Sequence, residues 1–292
     1  MTPGARLREL LAEPEMLVAP GTFDCITARL VKRAGFRAVY MTGAGTAAML
    51  GFPDYGLTTM TEMVDNAARI ADTVDLPVIA DADTGFGNEL NATRAVRAYE
   101  KVGVAGIHIE DQVFPKKCGH LESKTVIAEA DYIAKISAAA DARKDAGFVI
   151  IARTDARAPL GFEAAIDRAN RALDAGADIA FVEAPQTIDE LQQVPRLVHG
   201  PCLLNVVHKG KTPAVDFATA EQYGFRLAIV PGLLFATVLG AGAAALEEMK
   251  RIGRHPVPVS DSSPRERFQV MGSDDWDAIS NRYAAKRDPV KA

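Results

Sequence analysis

Cysteine is scarce in this chain of 292 residues. The three present, Cys25, Cys118 and Cys202, are too few and too scattered for a disulfide framework, and no Cys/His spacing fits structural zinc. Long apolar runs are missing as well, so no membrane-spanning helix is expected. The opening MTPGARLRELLAEPEM has no signal-peptide apolar core, and the expected location is the cytoplasm. Neither sign of charge dominates: 33 basic against 38 acidic residues gives a net of -5, which suggests no nucleic-acid surface. What remains is ordinary globular composition, 48% apolar and 24% charged, at a length that suits one α/β barrel.

Short apolar runs alternate with longer amphipathic stretches. Strands are expected at Met16–Pro20, Ala38–Thr42, Pro77–Asp81, Gly106–Glu110, Phe148–Arg153, Asp178–Val182, Cys202–Asn205 and Arg226–Val230. Between them Asp24 can cap a helix over 26–34, Thr61 one over 62–74 and Asn91 one over 92–102, while Gly161 precedes one over 162–174. Gly35, Gly103, Gly147, Gly176 and Gly224 sit where left-handed helix ends belong. Eight such repeats predict a closed (β/α)8 TIM barrel. An open doubly wound sheet would place a Gly-rich phosphate turn after its first strand, and residues 19–24 are not one. The Ala-Gly run over 239–245 reads as a closely packed late helix. The barrel is expected over 1–253, and 254–292 as a linker followed by a helix near 274–285, packing on the barrel or on a neighbouring subunit.

In such a barrel the chemistry lies at the C-terminal strand ends. Those ends carry Tyr40, Thr42-Gly43-Ala44-Gly45, Asp81 with Asp83, Glu110, Arg153, Glu183 and Asn205, with His208 beyond the seventh strand. Asp81 and Asp83, two apart, face one way if the backbone is extended. With Glu110 and Asp54 they form a set that suits Mg²⁺, or Mn²⁺ in its place, although loop capping also explains the pair. The small-residue turn at 42–45 can hold a carboxylate or phosphate oxygen, or be a plain structural turn. Arg153 can grip a carboxylate bidentately. Cys118 stands in a polar loop beside Lys116, Lys117 and His120, whose charges would lower its pKa and leave it reactive. Cys25 and Cys202 read as buried and inert.

Lys116-Lys117-Cys118-Gly119-His120-Leu121 resembles the signature of the isocitrate lyase / phosphoenolpyruvate mutase superfamily, in its Cys-Gly-His lyase branch. The stretches 81–87, 106–112, 153–155 and 209–213 are similar to that family too, and the likeness runs from Arg6 to Gly253. The resemblance implies a barrel whose late helix is exchanged between subunits of a homotetramer. It implies metal held by Asp81 and Asp83, with Asp54 and Glu110 holding its waters. Thr42, Gly43 and Ala44 would grip the keto-acid carboxylate with Arg153, and Gly119 would join the substrate contacts. Tyr40 would lie by the substrate oxygen, with Glu183 and Asn205 orienting the substrate.

The activity so implied is retro-Claisen cleavage of a 2-hydroxy di- or tricarboxylate to an α-keto acid, with Cys118, assisted by His120, protonating the departing carbanion. The general base is left open between Tyr40 and a carboxylate-held water. Residues 111–124 could close over the substrate as a lid. Short 2-methylisocitrate lyases carry an arginine where Ala236 falls, so a 2,3-dimethylmalate-type dicarboxylate is the expected substrate, ahead of 2-methylisocitrate. Oxaloacetate hydrolysis, and a non-catalytic keto-acid-binding barrel, are the competing expectations.

Overall fold

The computed structural model describes residues 1–284; positions 285–292, the end of the expected tail, lie outside the described residues. Element order is α1(Pro3–Ala12), β1(Leu17–Thr22), α2(Cys25–Arg33), β2(Val39–Met41), α3(Gly43–Met49), α4(Met60–Thr73), β3(Val78–Asp81) and α5(Glu89–Lys101). Then come β4(Gly106–Glu110), α6(Glu129–Ala142), β5(Val149–Thr154), α7(Arg157–Leu160), α8(Phe162–Asp174), β6(Ile179–Val182) and α9(Ile188–Leu197). The series ends with β7(Leu203–Asn205), α10(Phe217–Tyr223), β8(Leu227–Val230), α11(Leu233–Ile252), α12(Pro264–Val270) and α13(Ser273–Ala284).

All strand pairs are parallel, in the order β6-β5-β4-β3-β2-β1-β8-β7. A bridge between Ala180 and Cys202 joins β6 to β7 and closes the ring. The expected (β/α)8 barrel is therefore present. Every strand is buried on both faces, and alternate residues divide between two cores. Ile79, Val149, Ile151, Ile179, Phe181, Leu203, Leu227 and Ile229 fill the barrel interior. Val78, Ala80, Ile107, Ile109, Ile150 and Ala152 face the helix layer. Fully burying each Ile or Phe contributes roughly 1.5–3 kcal/mol, so the two layers carry the fold. Leu7 and Leu10 of α1 belong to the interior core. Gly4 lies so close to Gly147 that a Cβ would come within 2.6 Å of its carbonyl.

Several local expectations need correction. The cap of α4 is Thr59, not Thr61: Thr59 accepts from the Glu62 N–H, and Glu62 returns a bond to Thr59. The cap of α5 is Asn88, with Asn91 answering it from the third helical position. Asp24 does cap α2, again with a reciprocal bond from Thr27. Gly35, Gly103, Gly176 and Gly224 are left-handed, but Gly147 is not; close packing against α1 is what its missing side chain permits.

The chain divides into two compact units, 1–236 and 237 onward. The second holds most of α11 with α12 and α13. Ser263 caps α12 through a reciprocal bond with Glu266, so the helix begins at Pro264, where a linker was expected to end. The close packing expected for the run 239–245 is not found among the described residues: none of α11 is buried, and a Cβ at Gly240 or Gly242 would meet nothing within 4 Å. No helix among the described residues is long and apolar enough to cross a membrane.

Candidate active site

In β3, β5, β6 and β7 the inward-pointing series is apolar low in the barrel and polar at its C-terminal end. Asp81 follows Ile79 by two residues, Arg153 follows Ile151, Glu183 follows Phe181 and Asn205 follows Leu203. Pleating alone therefore aims these polar side chains into the barrel mouth. Tyr40, Thr42, Ala44, Asp54, Asp81, Lys116, Cys118, Gly119, His120, Arg153, Glu183 and Asn205 line one cavity of about 120 Å³. Gly43, Asp83 and Glu110 sit behind its wall. His208 is exposed and outside it, as a surface histidine would be.

Asp81 is the hub of the carboxylate side. Its Oδ2 accepts from the Gly43 N–H at 3.1 Å and from the Tyr40 hydroxyl at 3.3 Å, and its Oδ1 accepts from the Asp83 N–H at 2.9 Å. Gly43 thus commits its N–H to Asp81 rather than to a ligand, and a Cβ there would collide with the Asp81 carboxylate. The segment 42–45 is also no plain turn: Thr42 caps α3, accepting from the Gly45 N–H. Asp83 is not extended, with φ at 46°; a turn, not pleating, brings its carboxylate beside that of Asp81.

Burial pulls Asp81 upward, but His108, Lys116 and Arg153 outweigh it and hold its carboxyl at about 2. For Asp83 burial wins over Lys116, and its carboxyl rises to about 6. Burial also pushes Glu110 well above the carboxylate range and lowers His108 to about 4. The His108 Nε2 lies 2.8 Å from the Tyr40 oxygen, and burial keeps that phenol far above its usual pKa. Tyr40 is therefore a neutral donor.

Lys116 is the cation of this cluster, pairing with Asp54 at 2.5 Å and Asp83 at 2.7 Å. Both oxygens of fully buried Glu110 lack a hydrogen-bond partner, though Arg153 Nη1 stands 3.1 Å from Oε2. Among the described residues no three Asp, Glu, His or Cys side chains converge on one ion. The donors here are carboxylate oxygens alone, and Asp83 Oδ1 and both Glu110 oxygens have no hydrogen-bond donor beyond those ion pairs, a chemistry that suits a small hard cation that keeps much of its water.

The Cys118 loop is held at its base by the Gln112 amide, which donates to the Lys117 carbonyl at 2.8 Å and accepts from the Lys117 N–H at 3.0 Å. At its tip the Lys211 N–H donates to His120 Nδ1 at 3.0 Å, so the ring proton sits on Nε2, 3.0 Å from Glu183 Oε1. Asn205 Nδ2 also donates to both Glu183 oxygens. A Cβ at Gly119 would lie 2.5 Å from Arg153 Nη2 and from Glu183 Oε1. Only glycine lets the loop seat against those two side chains.

The expected activation of the thiol is overturned. Burial raises the Cys118 pKa, Asp54 and Glu183 add to the rise, and the His120 N–H and Arg153 oppose it without prevailing. Lys116 is committed to Asp54 and Asp83, and Lys117 points to solvent. Cys118 is a neutral thiol at pH 7, poised to give a proton. Its alkylation by iodoacetamide is expected to rise with pH through a midpoint above about 8.5, the ordinary thiol value. A midpoint near neutrality, read by mass spectrometry of the Cys118 peptide, would restore the thiolate reading. Cys202 is buried as expected, pushed to about 12, but Cys25 is only half-buried.

Arg153 lies 5.2 Å over the Phe181 ring, and its bidentate partner is the protein's own Asp155, at 2.9 and 3.3 Å. Sequence reading missed this carboxylate as a functional residue. It also missed Asp111, which accepts from Thr154 Oγ1, the Asp155 N–H and Arg168. The apolar wall of Val207, Pro231 and Phe235 was missed too, though Ala236 beside it was noted; Ala236 is exposed and off the cavity.

Residues 7–250 match the family described as phosphoenolpyruvate phosphomutase. The chain is 47% identical over 232 residues to the 2,3-dimethylmalate lyase of Eubacterium barkeri, covering 79% of this chain and 80% of that one. It is 40% identical over 291 residues to the 2-methylisocitrate lyase of Aeropyrum pernix, covering 99% and 94%. A structure of oxaloacetate acetylhydrolase in complex with the inhibitor 3,3-difluorooxalacetate superposes with a TM-score of 0.93 at 36% identity, over 97% of each chain.

Proposed function

Because the chain belongs to the phosphoenolpyruvate phosphomutase family, within the isocitrate lyase superfamily, we propose that it is a carbon–carbon lyase that cleaves a substituted malate of the 2,3-dimethylmalate type. One observation carries this reading: a neutral thiol, Cys118, faces Arg153 and the carboxylate cluster across one cavity. The cations lining the cavity, Lys116 and Arg153, are each already paired with a carboxylate, and the His120 Nε2 proton goes to Glu183, so none of these is spare for a third carboxylate, which favours a dicarboxylate. The Val207, Pro231 and Phe235 wall suits methyl substituents better than a third carboxylate.

In this reading Arg153 and the Thr42 hydroxyl hold the carboxylate that becomes the keto acid. Tyr40 donates to the substrate hydroxyl oxygen. A divalent cation, Mg²⁺ with Mn²⁺ as substitute, would be held by Asp81 and Asp83 with Asp54 and Glu110 on its waters, and would supply Lewis-acid stabilisation of the developing oxygen charge. A carboxylate of the cluster, directly or through a held water, takes the hydroxyl proton. The bond between the hydroxyl-bearing carbon and its neighbour breaks, its electron pair passing to the leaving fragment. Cys118 returns a proton to that carbon, and the seated loop keeps competing water away. Glu183 keeps His120 and Asn205 in place.

Purified protein with Mg²⁺ is expected to release pyruvate from a methylated malate, read through lactate dehydrogenase, and chelator is expected to stop it. Release mainly from 2-methylisocitrate would overturn the dicarboxylate preference and keep the lyase. The likeness to oxaloacetate acetylhydrolase favours one second reading, oxaloacetate hydrolysis, which yields oxalate and acetate without a new keto acid. No turnover of any of these would leave a keto-acid-binding barrel.

The proposed assembly is a cytoplasmic homotetramer, with 1–253 as the catalytic domain and the segment from 254 packing on a neighbouring subunit. Exposed Val238, Leu239, Leu246 and Met249 on α11, with Phe268 and Trp276 beyond it, support an exchanged late helix. Sedimentation equilibrium tests it.

A further inference from the structure

Lys124 has no part in the reaction as described, yet its side chain is 1% exposed. Its ammonium donates to Asp155 Oδ1 at 2.6 Å and to the Gly119 carbonyl. Asp155 is itself fully buried, and its other oxygen accepts from Arg153 Nε at 2.9 Å. The Asp155 N–H is fixed in turn on Asp111, which also holds Thr154 and Arg168. One ammonium therefore ties the residue next to Cys118 to the carboxylate that orients Arg153. The tie also folds the loop back on itself, because Gly119 and Lys124 belong to the same segment.

We propose that Lys124 is a positioning residue that clasps the Cys118 loop to Asp155, so that this buried contact, added to the Gln112 and His120 anchors, sets the thiol relative to the Arg153 guanidinium. The geometry explains why the residue is a lysine. Its several donors let one head group serve a carboxylate and a carbonyl together. The opposing reading is that Lys124 only balances the charge of Asp155. The proposal rests on the lyase reading for its kinetic consequences, but not for its structural ones.

The test uses Lys124→Met, which keeps the stem and removes the donors. Cys118 of this variant is expected to alkylate with iodoacetamide about tenfold faster than in the wild type, with Cys25 labelled at an unchanged rate in the same sample. Removing a cation would by electrostatics alone slow thiolate formation, so acceleration reports an opened loop. With a turned-over substrate, kcat is expected to fall at least about tenfold with a smaller change in KM, since small misplacements of a reacting group cost that much or more. Lys124→Arg is expected to restore part of kcat. Unchanged Cys118 labelling in a folded variant overturns the proposal. Should the Met variant not fold, hydrogen exchange of the wild type decides: protection of amides 119–124 supports the clasp, and exchange at the rate of an unstructured peptide of the same sequence overturns it. If the wild type turns over none of the substrates, the lyase reading fails while the labelling comparison still judges the clasp.

Discussion

Replacing Cys118 by serine is expected to lower kcat by about 10²–10⁴-fold, the range a positioned acid contributes, while KM and metal affinity change little. The substitution removes one atom type and almost no volume. A hydroxyl in the same half-buried place is a far weaker acid than a thiol, and burial, with Asp54 and Glu183 nearby, pushes any anion there further out of reach. The groups proposed to hold the substrate are untouched, because Arg153 takes its orientation from Asp155, Glu110 and the Phe181 ring. Ground-state binding should survive, and the loss should fall on the step that puts a proton on carbon. Product formed in D₂O separates the cases further: the wild type should place one deuterium at the carbon that leaves. Wild-type-like turnover in the serine variant would remove Cys118 from the mechanism.

Much of this was legible before any coordinates, for a physical reason. A parallel barrel strand is buried on both faces, so it reads as an apolar run. The first polar residues after that run are the ones pleating delivers to the mouth. Arg153 after Ile151 and Asn205 after Leu203 follow that rule. The capping errors came from choosing the nearer hydroxyl or amide. Thr59-Met-Thr-Glu62 already contains a capping-box spacing, which Thr61 lacks. Charge pairing over long separations was not legible. Lys116 and Asp54 lie 62 positions apart, so nothing local shows that the lysine is committed to a carboxylate. Assigning that charge to the neighbouring thiol gave the wrong sign for the Cys118 shift. Burial of the loop, which decides the sign, follows from Gly119 seating against Arg153 and Glu183.

Asp81→Asn is the second substitution expected to abolish function, and it does so through geometry as well as charge. Both carboxylate oxygens of Asp81 act as acceptors, one for the Asp83 N–H and the other for the Gly43 N–H and the Tyr40 hydroxyl. An asparagine can place its oxygen toward only one of these sets. Its amide then meets a backbone N–H on the other side, in a site 4% exposed, and an unpaired buried donor costs about 1–3 kcal/mol. The variant should fold with lowered stability, because the barrel core below it is intact. The lost charge matters more for function. Partners one step removed from a metal typically cost 10–100-fold in affinity, so a direct ligand should weaken Mg²⁺ or Mn²⁺ binding by at least about 100-fold, with turnover falling in proportion. Calorimetric titration of Mn²⁺ into wild type and variant reads this without any substrate. Asp83→Asn is the informative companion. Asp83 Oδ1 faces only Lys116, which keeps Asp54 as a partner, so this variant should lose metal without the donor conflict. If Asp81→Asn retains Mg²⁺-dependent turnover, the cation is held elsewhere and the carboxylate cluster serves Lys116 alone.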